Sequence, residues 1–247
     1  MEREYGVVGR DYAEGRRLNE RLDDVVARIV AAVNRNADEE GKAHRSFKVK
    51  SAKILGGRTE KADKVINAFA LADGRIYVSL GLLRAIQDSP HMEDELAFVV
   101  GHEVTHVVEK HGKGQSKKAT EAGLLAILLG AVSRNRAVER IGEVGAAAYV
   151  SSFGRKDEYR ADRGGVLALH DAGFRDRSAV DMLNRLKAKG ESQDKLVNGW
   201  FGSHPLTENR VKRVEEMLDD LAAGRRVGDR SEKELDREDR KKKSPGN

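Results

Sequence analysis

Two histidines four residues apart, His102 and His106, sit in an apolar stretch with a glutamate, Glu103, directly after the first. Leu96, Val99, Val100, Val104 and Val107 recur around them at helical spacing. On a helix, residues i and i+4 project from one face, one turn apart. Both imidazoles therefore meet the same surroundings. If that face is buried, two rings and a carboxylate need partners, because unpaired buried charge is expensive. A metal ion supplies one, with Glu103 beside it and not required as a ligand. This is the H-E-x-x-H arrangement of zinc hydrolases, two ligands and a general base. The competing reading is a buried helix whose histidines are only hydrogen-bonded.

The flanks agree with a helix. Ser89-Pro90 punctuates upstream, and Glu93, Asp94 and Glu95 suit a helix N-terminus. Lys110, His111-Gly112 and Lys113 read as the stop. Gly101 precedes the first histidine, although glycine costs about 1 kcal/mol in a helix interior. That cost is explained if another backbone or a ligand approaches closely there.

A catalytic zinc needs a third protein ligand. Glu158 and Asp162 in Glu158-Tyr159-Arg160-Ala161-Asp162 are again i and i+4, on a face that continues into Val166, Leu169 and His170. One carboxylate could bind metal while the other accepts the outer N–H of a ligating histidine. The alternative is an acidic first helical turn, with Asp162 paired to Arg155 or Arg160.

Elsewhere, Leu18 to Val33 predicts an amphipathic helix and Asn34 to His44 a polar loop. Phe47–Lys50 alternates like a strand, with Ile54-Leu55-Gly56-Gly57 ending it, and Val65–Ala70 and Arg75–Ser79 flank Ala72-Asp73-Gly74 as a hairpin. Further helices are predicted at Leu82–Gln87, Lys117–Val132, Arg136–Ser152, Asp157–Ala172, Ser178–Lys189 and Thr207–Leu221, with Gly173, Gly190 and Gly202 as stops. A small N-terminal sheet followed by helices is an α+β, mainly helical arrangement. The expected organisation is a single domain over residues 1–223 and a charged, disordered tail over 224–247.

Composition narrows the function. Without cysteine there is no disulfide, thiolate zinc site or cysteine nucleophile. A net charge of +5 from 46 basic and 41 acidic residues, with no basic stripe interleaved with aromatics, argues against nucleic acid as partner. The most apolar run, 122–132, falls short of the roughly 20 residues that cross a bilayer. The charged start Met1–Tyr5 has no secretion-signal pattern, so the chain reads as soluble.

Asn67-Ala68-Phe69-Ala70, Gly74-Arg75-Ile76-Tyr77-Val78, Gly81-Leu82-Leu83, His102–His106, Glu158–Asp162 and Ser203-His204-Pro205 together resemble, in order, the CAAX prenyl protease and HtpX heat-shock protease family of zinc metallopeptidases, of the gluzincin type. The resemblance covers roughly Asn67 to Arg213. It implies a zincin-like domain holding one Zn2+ by His102, His106 and Glu158, with Glu103 as general base and Asp162 behind a ligating histidine. His204 corresponds to a histidine near the metal that stabilises the oxyanion or caps the zinc. Asn67 and Ala68 correspond to an edge strand facing the cleft, which takes up substrate backbone. The transmembrane helices of the prenyl protease and HtpX branches have no counterpart here. The resemblance therefore points to the soluble branch tied to quality control in the cell envelope or periplasm, with the cytoplasm as alternative. The implied partner is a polypeptide substrate, and peripheral membrane association is compatible with it. The alternative function is a chaperone-like or scaffolding protein with a latent, His204-capped site. His44, His91, His111 and His170 read as surface, cap or core residues. Trp200-Phe201 reads as a packing anchor for the His204 loop, with an aromatic wall for substrate as the alternative.

Overall fold

The computed structural model of the chain describes residues 2–39, 46–109, 154–191, 204 and 208–228. A one-turn helix α1 (Glu2–Tyr5) precedes the long helix α2 (Ala13–Glu39). Helix α2 buries Leu22, Val25, Val26, Ile29, Val30 and Val33 along one face, the stripe that helical periodicity predicts. It then continues through Asn34 to Glu39, where the polar composition predicts a loop. Two contacts hold the extra length. Ala37 is buried, and the Asn34 side chain accepts the Phe47 N–H at 2.8 Å and donates to the Phe47 carbonyl at 3.0 Å.

That anchorage also moves the first strand. Phe47 is buried while Lys48, Val49 and Lys50 are exposed, and strand β1 spans Ser51–Leu55 instead of beginning at Phe47. A one-turn helix α3 (Glu60–Asp63), capped by the Thr59 hydroxyl and not foreseen, leads to β2 (Ala68–Ala70) and β3 (Arg75–Ser79). The predicted hairpin forms, with Ala68 opposite Val78 and Ala70 opposite Ile76. Gly74 adopts φ +92°, and a Cβ there would lie 2.1 Å from the Lys48 carbonyl oxygen, so only glycine fits the turn. The sheet order is β1-β3-β2, with β1 parallel to β3 and β2 as an edge.

The remaining described helices are α4 (Leu80–Ile86), α5 (Met92–Val108), α6 (Arg155–Asp171), α7 (Ser178–Glu191) and α8 (Glu208–Ala222). The architecture is α+β and mainly helical. Helix α5 is its axis, buried continuously from Glu95 to His106 and packed against α2, α6, α7 and β2. It is capped at Glu109, just before the predicted Lys110–Lys113 stop. The helices predicted at 117–132 and 136–152, the 122–132 run and Gly202 lie outside the described residues. Gly173, at φ +71°, ends α6, whereas Gly190 lies within α7.

Gly101 has the close neighbour its position demands. A Cβ on Gly101 would come within 3.1 Å of Gly165 Cα on α6, and one on Gly165 within 3.2 Å of the His102 nitrogen and the Phe98 carbonyl. The two helices cross glycine on glycine, which lets side chains on either side of the crossing converge.

After α8 the chain turns back at Gly224 (φ +61°) and docks on α6, with Val227 buried. The Tyr159 hydroxyl donates to the Gly228 carbonyl, and Arg163 Nε donates to the Val227 carbonyl at 2.9 Å. Val227 and Gly228 are thus packed within the stretch where the tail is predicted to begin; 229–247 lie outside the described residues. No helix among the described residues is long and apolar enough to cross a membrane.

One buried ion pair fixes the start of α5. The Glu95 carboxylate, 1% exposed, accepts from Arg185 Nε at 2.8 Å and Nη2 at 3.3 Å, and from the Ser89 hydroxyl at 2.5 Å. Arg185→Ala leaves that carboxylate with a single hydroxyl. Urea denaturation should show a loss of about 2–4 kcal/mol. A change of less than about 0.5 kcal/mol, as for ordinary surface substitutions, would contradict this role.

Candidate metal centre

Helix α5 supplies the first two groups. Its one-turn spacing puts the His102 and His106 Nε2 atoms 3.0 Å apart with their rings edge to face. Both rings are buried. The other ring nitrogen of His102, Nδ1, donates to Asp162 Oδ1 at 2.9 Å. A carboxylate only accepts, so this bond assigns the proton to Nδ1 and leaves the Nε2 lone pair facing His106. Burial pushes the His102 imidazolium down to about 3, against the pull of Asp162, so the ring is neutral near pH 7.

Across the glycine crossing, α6 supplies Glu158 and Asp162. Glu158 Oε1 lies 3.4 Å from His106 Nε2, and Oε2 lies 3.6 Å from His102 Nε2. Burial favours the neutral acid at both carboxylates. At Glu158 the nearby His204 and Arg210 outweigh that cost and hold the group well below the usual carboxylate range. At Asp162, Arg210 and the His102 N–H also outweigh burial and lower the group from its usual value. Both are anions within the core. Val166 and Leu169 continue the buried face of α6, whereas His170 is exposed and paired with Asp176.

His204 completes the cluster. Its Nδ1 is 3.2 Å from His102 Nε2 and 3.0 Å from Glu158 Oε1, and its Nε2 is 3.3 Å from Glu103 Oε1. Glu103 is 3% exposed, and burial pushes its carboxyl up to about 8. A carboxyl that exchanges its proton near neutral pH is suited to general acid–base work.

The chemistry of the donors tests whether a metal fits. One ligand atom from each of His102, His106, Glu158 and His204 lies within 4.8 Å of the others. A neutral imidazole with its proton turned outward, a second imidazole 3.0 Å away and an ionised carboxylate present lone pairs to one point. Tetrahedral zinc with Zn–N of about 2.0–2.1 Å spaces its ligands about 3.3 Å apart. The two Nε2 atoms lie 3.0 Å apart, and the Glu158 oxygens lie 3.4 Å (Oε1 to His106) and 3.6 Å (Oε2 to His102) from them, close to that value. The donor set fits Zn2+.

Residue reading missed one member. Arg210, on the first turn of α8 and 4% exposed, forks onto Asp162 through Nε (2.8 Å) and Nη2 (2.7 Å) and reaches Glu158 Oε2 through Nη1 (2.9 Å). It occupies the Asp162 partnership that the sequence offers to Arg155 or Arg160. The signal was present: Arg210 lies one and two turns before the buried Val214 and Met217, a charged residue on an apolar stripe.

Asn67 and Ala68 stand at the edge strand β2, which packs on α5, and both are buried. The Asn67 side-chain oxygen accepts the Ala68 N–H at 2.9 Å, and the Asn67 backbone exchanges bonds with Ser79. His91 is half-exposed beside Asp94. His44, His111 and Trp200-Phe201 lie outside the described residues.

Comparison with known proteins finds proteases. The chain is 28% identical over 167 residues to the mitochondrial metalloendopeptidase OMA1 of Schizosaccharomyces pombe, covering 68% of this chain and 48% of the relative. It is 30% identical over 158 residues to a putative beta-barrel assembly-enhancing protease of Vibrio cholerae, covering 60% of this chain and 32% of the relative. It is 26% identical over 160 residues to metalloprotease LoiP of Escherichia coli, covering 63% of this chain and 60% of the relative. The chain thus spans about half of the first of these relatives and about a third of the second. The model of peptidase family M48 matches residues 17–218, a span that holds every residue of the cluster and Arg210, and the chain belongs to that family.

Proposed function

We propose that the chain is a zinc-dependent endopeptidase acting on unfolded or misassembled polypeptides. The observation that carries the reading is the meeting, in one buried cluster, of His102, His106 and Glu158 with Glu103 alongside. His102, His106 and Glu158 would hold the metal. When bound, Zn2+ supplies Lewis acidity toward the scissile carbonyl and lowers the pKa of water. Glu103 takes a proton from the attacking water and returns one to the leaving amine. Asp162 keeps the His102 tautomer that presents Nε2. The edge strand β2, at Asn67 and Ala68, takes an extended substrate backbone alongside it.

His204 has two candidate roles, oxyanion donor during turnover and cap at rest. Its contacts with His102, Glu158 and Glu103 favour the cap, and with it the second reading of a latent, chaperone-like protein. The names of the relatives, one mitochondrial and two tied to beta-barrel assembly or metalloprotease activity, support a place in protein quality control. We place it in the cell envelope, with peripheral attachment to a membrane.

Casein digestion tests both readings. The zinc-loaded chain should cleave casein slowly, a chelator should stop it, and His204→Ala should raise the basal rate by about tenfold or more, since removing the cap frees a coordination position. A lowered rate in His204→Ala assigns the ring to the oxyanion. If neither zinc-loaded protein cleaves casein, the latent reading replaces the peptidase.

A further inference from the structure

Glu158 is held from both sides by one stretch of chain. His204 meets its Oε1 at 3.0 Å, and Arg210, reached a short way further along, meets its Oε2 at 2.9 Å. The same guanidinium forks onto both oxygens of Asp162, whose Oδ1 also receives the His102 N–H. One buried side chain thus ties the candidate third ligand to the group that orients the first. Of the two Glu158 oxygens, Oε1 lies 3.4 Å from His106 and 3.0 Å from His204, while Oε2, 3.6 Å from His102, is engaged at 2.9 Å by a cationic N–H.

An arginine does this where a lysine does not. Its planar fork offers donors in fixed directions, two for one carboxylate and a third for the next, whereas an ammonium is a point charge without that geometry. The arrangement has a consequence for coordination. A carboxylate free to offer both oxygens would fill a position that a hydrolytic zinc site keeps for water or substrate.

We propose that Arg210 is a positioning residue that restricts Glu158 to a single donor oxygen and locks Glu158, Asp162 and His102 into one unit, which stays in place when His204 leaves. The inference rests on the zinc site proposed above and goes beyond it. Arg210 touches neither substrate nor metal and acts through Glu158 and Asp162.

Arg210→Lys in the full chain is the test, because it retains the charge and removes the fork. Zinc release into a chelator, followed by a colour-forming indicator, should be about 10–100-fold faster than in the parent, the range for partners behind metal ligands. The Co2+-substituted variant should lose visible absorption intensity as Glu158 turns to offer both oxygens and coordination expands from four to five. If Arg210 only balances charge, Arg210→Lys will match the parent in release rate and Co2+ spectrum, and the proposal is overturned. A second measurement needs no Arg210 variant and so decides the matter even if Arg210→Lys fails to fold. In 15N-labelled parent and His204→Ala proteins, the Arg210 Nε–H should stay protected from solvent exchange with and without zinc. Loss of that protection on zinc loading, or on removal of His204, overturns the proposal. A parent chain that takes up no zinc fails differently: it removes the proposed function, and this inference with it.

Discussion

Glu103→Gln should keep its fold and its zinc while losing peptide hydrolysis by about 10²–10⁴-fold, the usual worth of a general base. The amide has nearly the shape of the acid, so the buried site on α5 is undisturbed. Glu103 is not among the residues whose ligand atoms cluster within 4.8 Å, so its replacement leaves that donor set intact. What the variant lacks is a group that accepts a proton from water and gives it to a leaving amine. Burial pushes the Glu103 carboxyl up to about 8 in the metal-free site, and a bound Zn2+ beside it would favour the carboxylate that accepts the proton. Zinc content, circular dichroism and casein turnover should be measured on one preparation. Unchanged turnover in a zinc-loaded Glu103→Gln protein removes Glu103 from the mechanism.

Glu158→Gln should fail at an earlier step and lose the metal. A neutral amide is a poor substitute for a carboxylate ligand, and with His204 a displaceable cap only His102 and His106 remain as resident ligands, short of the three that a catalytic zinc requires. The change also removes the anion that meets Arg210 Nη1 at 2.9 Å, loosening the carboxylate pair as a unit. After dialysis against a mild chelator, zinc should fall from about one per chain to near none, measured by atomic absorption. Stoichiometric zinc in dialysed Glu158→Gln would move the third ligand elsewhere. The two variants separate the roles: one protein holds zinc and is inactive, and the other is inactive because it is empty.

Much of this arrangement is visible in local sequence, and the limits are instructive. The apolar stripes of α2 and α5, the hairpin turn at Gly74 and the helix stop at Gly173 each follow from spacing or backbone freedom within a few residues. The same holds for the pairs His102/His106 and Glu158/Asp162, since i and i+4 share a face wherever the helix lies. Where the reading differs from the structure, the deciding contact is distant in sequence. Helix α2 continues beyond Val33 because Asn34 binds the Phe47 backbone. Strand β1 begins at Ser51 because that is where the chain meets β3, in parallel register from Arg75. Val227 and Gly228 pack instead of fraying because Tyr159 and Arg163 on α6 donate to their carbonyls.

By itself, then, the sequence determined which faces are apolar, which ionisable groups share them and that a glycine before His102 demands a close neighbour. Periodicity and steric freedom are local properties, and they carry that information without any tertiary contact. Only the folded chain decided which faces meet. The crossing of Gly101 on Gly165 brings Glu158 within 3.6 Å of the histidines. Asp162 has arginines nearby in its own helix sequence, yet pairs with Arg210, because both side chains are buried at the α6–α8 contact and the fork reaches two carboxylates at once. A charge leaves water only where its partners already wait, and that place is set by packing, not by position along the chain.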